Sequence, residues 1–174
     1  MKKFELTTES ITNEAGKKLF RIKALIDFGD VKAGELGGYV EKEGNVSQDD
    51  NAWVSGDAEV FGNAKVSGNA LVFGDAKVSG RALVFGNARV SGDALISDNA
   101  DYALVQGFGI KFRCTTFYRG KNKKIMVNCG CFHGDLEEFR KQVKETRSGK
   151  IAKEYLMIAD LMEYHFVSED SSDE

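Results

Sequence analysis

The sequence predicts a mainly-β protein built around a parallel β-solenoid, on three observations. From Asn51 the chain runs through eight six-residue units without an insertion: NAWVSG, DAEVFG, NAKVSG, NALVFG, DAKVSG, RALVFG, NARVSG, DALISD. An aliphatic residue recurs at 54, 60, 66, 72, 78, 84, 90 and 96, and Ala stands four residues after each, from Ala58 to Ala100. Nineteen Gly and no Pro in 174 residues leave Gly, Asn and Asp to make the turns.

A period of six fits neither a helix nor a plain strand. It suits a short strand followed by a corner. The aliphatic residue then points inward, the small Ala fills the corner, and Gly-Asn or Gly-Asp supplies the backbone freedom for the bend. Three units close a triangular coil of eighteen residues, stacked on the next at about 4.8 Å. A twelve-residue alternation also runs through the repeat: Phe61, Phe73 and Phe85 alternate with Ser, and Lys65, Lys77 and Arg89 recur. A twelve-residue coil would stack those cations on one another, which is unfavourable, so eighteen is the expected count. The Gly spacing reaches back through Gly44 and Gly38. Lys42 and Gln48 stand at the aliphatic positions there, so the first turns are expected to be irregular.

This aliphatic-then-small pattern resembles the hexapeptide-repeat proteins, strongly over residues 51–100 and weakly over 33–50. The resemblance implies a left-handed parallel β-helix. It also brings acyltransferases and carbonic-anhydrase-like zinc enzymes into view, both of which need His in the coils. The two His, His133 and His165, lie outside the repeat, so a catalytic role is not expected and no cofactor is implied.

A solenoid needs its ends covered. Residues 3–8 and 19–26, joined through Asn13–Gly16, read as a β-hairpin over the first coil. Residues 111–118 and 124–133, joined through Arg119–Lys123, read as a second hairpin. Asp135 and Glu138 form a capping box for a helix with Leu136, Phe139 and Val143 at core spacing. Ser148-Gly149 breaks it, and Ile151, Tyr155, Leu156, Ala159, Met162 and Phe166 mark a second amphipathic helix. The division is thus a hairpin cap (1–32), the β-helix (33–110), an α+β module (111–167) and an acidic tail (168–174).

The net charge of −3 conceals a partition: −4 over residues 1–110, +8 over 111–153 and −7 over 154–174. No stretch approaches the roughly 18 apolar residues of a membrane span, and no apolar run follows Met1-Lys2-Lys3. A cytoplasmic protein without a membrane partner is expected.

Three sets of residues are candidates for function. If Val points inward, Trp53, Phe61, Leu71, Phe73, Leu83, Phe85 and Leu95 point outward on a solenoid too thin to bury them. That is a surface for self-association, as a trimer in this fold, or for a partner. On the eighteen-residue count Trp53, Leu71 and Phe73 share one face, and Leu83 and Phe85 another. The basic cluster Arg113, Arg119, Lys121, Lys123, Lys124, Arg140 and Lys144, with Lys141 and Arg147, could meet an anion or an acidic protein. Tyr118 and Phe132 stand nearby for stacking. The net negative charge argues against duplex nucleic acid. Finally, Cys129, Cys131 and His133 alternate along one expected strand. Pairing of Arg119 with Lys124 would set Cys114 beside them, a weak candidate for zinc against the alternative of buried apolar thiols.

The order of segments beyond the repeat adds a second resemblance. DFGDVKAGELGGYVEKEGNVSQDDNAWV (27–54), the repeats, then TTFYRGKNKKIMVNCGCFHG (115–134) resemble hexapeptide-repeat proteins of phages and prophages. That implies a protein of the infected host cytoplasm that acts by binding: blocking a bacterial defence protein or sequestering its nucleotide signal. The alternatives are an enzyme using His133 or the Cys cluster between subunits, and a structural solenoid scaffold.

Overall fold

The structure is a computed structural model that describes residues 1–166. The chain forms two units, one from Met1 to Asn99 and a second that begins at Ala100.

In the first unit β1 (Phe4–Thr12) and β2 (Lys18–Ala24) form the expected antiparallel hairpin. Asn13 shapes its turn, accepting at its side-chain oxygen from the amides of Ala15 (3.1 Å) and Lys17 (2.9 Å). β2 pairs antiparallel with β3 (Leu36–Val40), and β3 pairs in parallel with the repeats. The hairpin therefore continues one solenoid face beyond the first coil. Its Phe4, Leu19 and Ile22 are fully buried.

Each repeat unit then contributes a two-residue strand: β4 (Trp53–Val54), β5 (Glu59–Val60), β6 (Lys65–Val66), β7 (Leu71–Val72), β8 (Lys77–Val78), β9 (Leu83–Val84), β10 (Arg89–Val90) and β11 (Leu95–Ile96). Val54 to Val90 are buried at every sixth position, and Ile96 closes the series. The Ala from Ala52 to Ala94 are buried between them, as the small-residue corner requires. Trp53 pairs with Leu71 and Leu71 with Arg89, while Glu59 pairs with Lys77 and Lys77 with Leu95. Partners stand eighteen apart, so the coil is the eighteen-residue one. Each coil's amides donate to the next: Trp53 N to Ala70 O (3.0 Å), Leu71 N to Ala88 O (2.9 Å).

The first coil departs from the expected phase. Val40 and Val46 fill its interior, not residues 42 and 48, and they pair with Val60 and Val66 at an offset of twenty. Two extra residues therefore lie between Val46 and Val54. Asp50 braces this stretch, its carboxylate accepting from the amides of Gly68 (2.6 Å) and Ala52 (3.2 Å).

The corners depend on glycine. Gly68 has φ +69°, and a Cβ there would lie 2.9 Å from the amide nitrogen of Gly86 in the next coil. Beside it, Asn51, Asn69 and Asn87 form a side-chain amide ladder, with Nδ2 to Oδ1 distances of 3.0 and 3.1 Å.

In the second unit β12 (Tyr102–Phe108), β13 (Arg113–Arg119), β14 (Ile125–Cys129) and β15 (Phe132–Asp135) make an antiparallel sheet in chain order. Residues 102–108, placed with the repeats by sequence, are its first strand. Two helices follow, α1 (Leu136–Thr146) and α2 (Gly149–Phe166), meeting the sheet through Phe117, Val127, Phe139, Val143, Ala159 and Met162. The expected capping box is present: the Glu138 amide donates to Asp135 Oδ1 (3.0 Å) and the Asp135 amide to Glu138 Oε2 (2.8 Å). The acidic tail, 168–174, lies outside the described residues. Among the described residues no helix is long and apolar enough to cross a membrane.

Gly68→Ala should lower stability by roughly 1–3 kcal/mol in denaturant melts, from backbone strain and the meeting with Gly86. Gly44→Ala, with nothing within 4 Å of its added Cβ, should stay within about 0.5 kcal/mol. The cap gives a pH signature. The Glu138 amide, foremost, and Lys124 hold the Asp135 carboxyl below its usual 3.8. The folded chain thus binds fewer protons there than the unfolded one. The cap's contribution is complete above about pH 4 and is lost as pH falls through the lowered folded value. Asp135→Ala should cost about 1 kcal/mol at neutral pH and flatten that part of the acid titration.

Candidate functional site

Residues flanking each inward Val point outward, but what lies beside them decides whether they stay exposed. Trp53, expected on the surface, is 3% exposed. The rings of Phe4 and Phe28 meet it edge-on at 6.2 and 5.3 Å, so a hairpin and a loop distant in sequence cover it. Lys3 fixes this cover. Its side chain is 2% exposed, its Nζ donates to the carbonyls of Asp50 and Ala52, both at 2.8 Å, and it stands 4.8 Å from the Phe28 ring centre. Burial pushes the Lys3 ammonium down from its ordinary pKa, with Asp50 and Asp49 opposing.

The remaining flankers divide by face. On the β4–β7–β10 face, Leu71 and Phe73 are half-buried, and the Arg89 guanidinium lies 5.8 Å from the Phe73 ring centre. They share a groove of about 400 Å³ with Trp53, the Asn51–Asn69 ladder, Asp30 and Glu35. The Trp53 indole N–H is buried with no hydrogen-bond partner. On the β6–β9 face, Leu83 and Phe85 are 43% and 55% exposed, beside Lys65, Ser67, Gln48 and Asp49 in a broader groove of about 820 Å³. The third face carries half-buried Phe61 and exposed Leu95. It is otherwise tied by polar contacts: Lys77 to Glu14 (3.1 Å) and Glu59 (3.8 Å), and Arg21 to Tyr39 OH (2.7 Å). Sequence reasoning missed both Lys3 and this network, because their partners are remote in sequence.

Residues 76–92, spanning β8 to β10, match a family model described as YdcK beta solenoid repeat. The chain is a β-solenoid repeat protein. No curated protein matches it.

Outside the solenoid the expected clusters dissolve on two corrections of register. The β13–β14 turn is Lys121-Asn122-Lys123, with Lys123 at φ +59°. Arg119 therefore pairs with Ile125, and Thr115, not Cys114, stands opposite Cys129. Thr115 Oγ1 lies 3.1 Å from Cys129 Sγ. The strand expected over 124–133 is broken at Gly130-Cys131, a tight turn that leaves Cys131 exposed and puts His133 on β15 opposite Asn128. Burial pushes the Cys114 thiol up, away from the thiolate a metal requires. Among the described residues no group of three or more His, Cys, Asp or Glu side chains is placed to hold a metal ion.

The basic cluster is also dispersed. Tyr118 is fully buried and accepts at its hydroxyl from Asn128 Nδ2 (3.1 Å), so it offers no stacking surface. Phe132 packs on Phe139 at 5.5 Å. Arg140 serves Glu137, Asp160 and Glu163 at 2.7–2.8 Å. Arg119 pairs with Asp101 (3.1 Å) and lies over Phe166, and Lys124 pairs with Asp135 (2.9 Å). Arg113, Lys121, Lys123 and Lys144 are exposed.

Lys3→Met should leave two carbonyls without their donor and cost about 1–3 kcal/mol. Because Trp53 is the single Trp, its emission reports the cover directly and should shift to the red in that variant. Unchanged emission and stability would show that Lys3 does not hold the cover.

Proposed function

We propose that the protein is a non-catalytic, homo-oligomeric binding protein, encoded by a phage, that antagonises a bacterial defence component in the host cytoplasm by occupying a protein surface. The carrying observation is the β6–β9 face, where Leu83 and Phe85 stay in water beside a broad polar-rimmed groove. Large apolar side chains that no segment of their own unit covers are the usual signature of a contact surface, apolar at the centre and polar at the rim. The half-buried Leu71 and Phe73 beside Arg89 offer a second, narrower groove of the same character. Side-by-side assembly as a homotrimer is what the hexapeptide-repeat resemblance implies for such faces.

A protein partner is better supported than a nucleotide signal. Arg119, Lys124 and Arg140, which would have met phosphate, are held by carboxylates, and the expected stacking ring of Tyr118 is buried. An enzymatic reading has less support, since His133 and His165 both lie outside the coils and the Cys side chains do not converge with His133.

Capture from lysates of defence-bearing bacteria tests this. The wild type should retain a specific host protein. The Leu83→Ser/Phe85→Ser double variant, altered only at exposed positions, should lose it by at least about tenfold, two hot-spot residues having been truncated. Lys121→Ala/Lys123→Ala should retain it. Retention of a nucleotide in place of a protein, lost in the lysine variant, would favour the signal-sequestering reading instead.

A further inference from the structure

We propose that the tip of the β12–β13 hairpin is an anchor for an anionic membrane surface. Ile110 and Phe112 enter the boundary between headgroups and acyl chains, and Lys111 and Arg113 meet the lipid phosphates. The proposal uses no solenoid residue and does not rest on the partner reading above. β12 and β13 are joined by the turn Gly109-Ile110-Lys111-Phe112. Phe108, Ile110 and Phe112 are 39%, 69% and 67% exposed there. Hairpin turns ordinarily carry small polar residues and Gly, and the next turn of this sheet, Lys121-Asn122-Lys123, is polar throughout. The tip breaks that rule. Phe112 also stands in the left-handed region, at φ +48°, a conformation that bulky residues rarely adopt. Helix α2 supports the tip from behind. Tyr155 Oη donates to the carbonyl of Phe108 (3.4 Å), and a side chain at Gly109 would collide with the Tyr155 hydroxyl. Three large apolar side chains are thus presented to water from a fixed base.

Charge selects the occupant. Lys111 lies within the turn and Arg113 directly after it. Arg147 joins them at the base of the tip: with Arg113 it favours the ionised form of the Tyr155 hydroxyl, against burial, the larger effect, which pushes that pKa up. Lys111, Arg113 and Arg147 are all exposed, and among the described residues none of them has a carboxylate partner. The acids of α2 are engaged elsewhere, Asp160 and Glu163 by Arg140 and Glu154 by Lys150. A collar of unneutralised cations therefore stands behind an apolar end. The dimensions agree with that assignment. The turn reaches two residues past the Phe108–Arg113 pair, about 7 Å at the rise of a strand, and interfacial apolar groups bury roughly 5–10 Å deep. A hairpin end is convex. A protein would have to supply a matching cavity for it, whereas an anionic bilayer offers apolar depth and phosphate together. Attachment of this kind needs no spanning segment, so it departs from the sequence expectation of no membrane partner without requiring a membrane helix.

Co-sedimentation of the full chain with vesicles of mixed phosphatidylglycerol and phosphatidylcholine, beside vesicles of phosphatidylcholine alone, tests the anchor, with far-UV circular dichroism to confirm folding. The wild type should pellet with the first and stay free of the second, and binding should weaken as salt rises. Ile110→Ser/Phe112→Ser should lose affinity by at least about tenfold, and Lys111→Ala by about fivefold. Lys121→Ala/Lys123→Ala, at the opposite end of β13, should bind as the wild type does. So should Leu83→Ser/Phe85→Ser, which separates the anchor from the solenoid surface. Ile110→Trp should shift its emission to the blue when phosphatidylglycerol vesicles are added, and the wild type, whose single Trp53 is already buried, should not. No pelleting, an equal loss in Lys121→Ala/Lys123→Ala, or binding of Ile110→Trp without the blue shift would each overturn the proposal. An acidic protein held through Ile110 and Phe112 in a membrane-free lysate, with no vesicle binding, would overturn it as well.

Discussion

The structure of the first unit depends on how little room each coil encloses. Every six residues the interior admits one aliphatic side chain and one Ala. Val54 to Val90 and Ala52 to Ala94 are accordingly buried without exception. The strands are only two residues long, so no strand is stable alone. Cohesion comes from stacking, in which the amides of one coil find the carbonyls of the next. Corners must turn without a side chain on the tight side, and glycines such as Gly68, at positive φ against the backbone of the coil beyond, meet that requirement.

The same narrowness generates the exposed apolar surface. Whatever flanks an inward Val must face out, so the coils place their bulky residues in rows regardless of whether water is a suitable neighbour. The protein then treats the rows differently. Trp53 is withdrawn beneath Phe4 and Phe28 by the Lys3 anchor, and the β5–β8–β11 face is crossed by charged pairs to the hairpin. Leu83 and Phe85 are left uncovered within their unit. In the second unit three of the cations suggested by the sequence, Arg119, Lys124 and Arg140, are engaged by carboxylates of its own scaffold, with Arg140 binding α1 to α2.

What the sequence revealed follows from how local each determinant is. The inward Val, the corner Ala, the eighteen-residue coil and the Asp135–Glu138 cap were legible because each rests on residues within one repeat or one turn. The phase of the first coil was not. Two residues inserted between Val46 and Val54 leave no compositional mark, and only the pairing of Val46 with Val66 exposes them. Trp53 failed for a different reason: its covering residues lie 25 and 49 positions away. The Cys and His cluster failed at two turns. A three-residue turn with Lys123 in the left-handed region moves Cys114 off the position opposite Cys129. The Gly130-Cys131 turn, readable as strand or bend, separates Cys129 from His133.

The stacking period underlies every placement on the solenoid surface, and cross-linking measures it directly. In a background with Cys114, Cys129 and Cys131 changed to Ser, paired cysteines at Asn69 and Asn87 sit on neighbouring coils at one corner. Adjacent strands are about 4.8 Å apart, within the roughly 4.4–6.8 Å Cα range of a disulfide. The account predicts rapid intramolecular oxidation of Asn69→Cys/Asn87→Cys and none of Asn69→Cys/Arg81→Cys. Oxidation of the second pair in preference to the first would mean a twelve-residue coil and would contradict it.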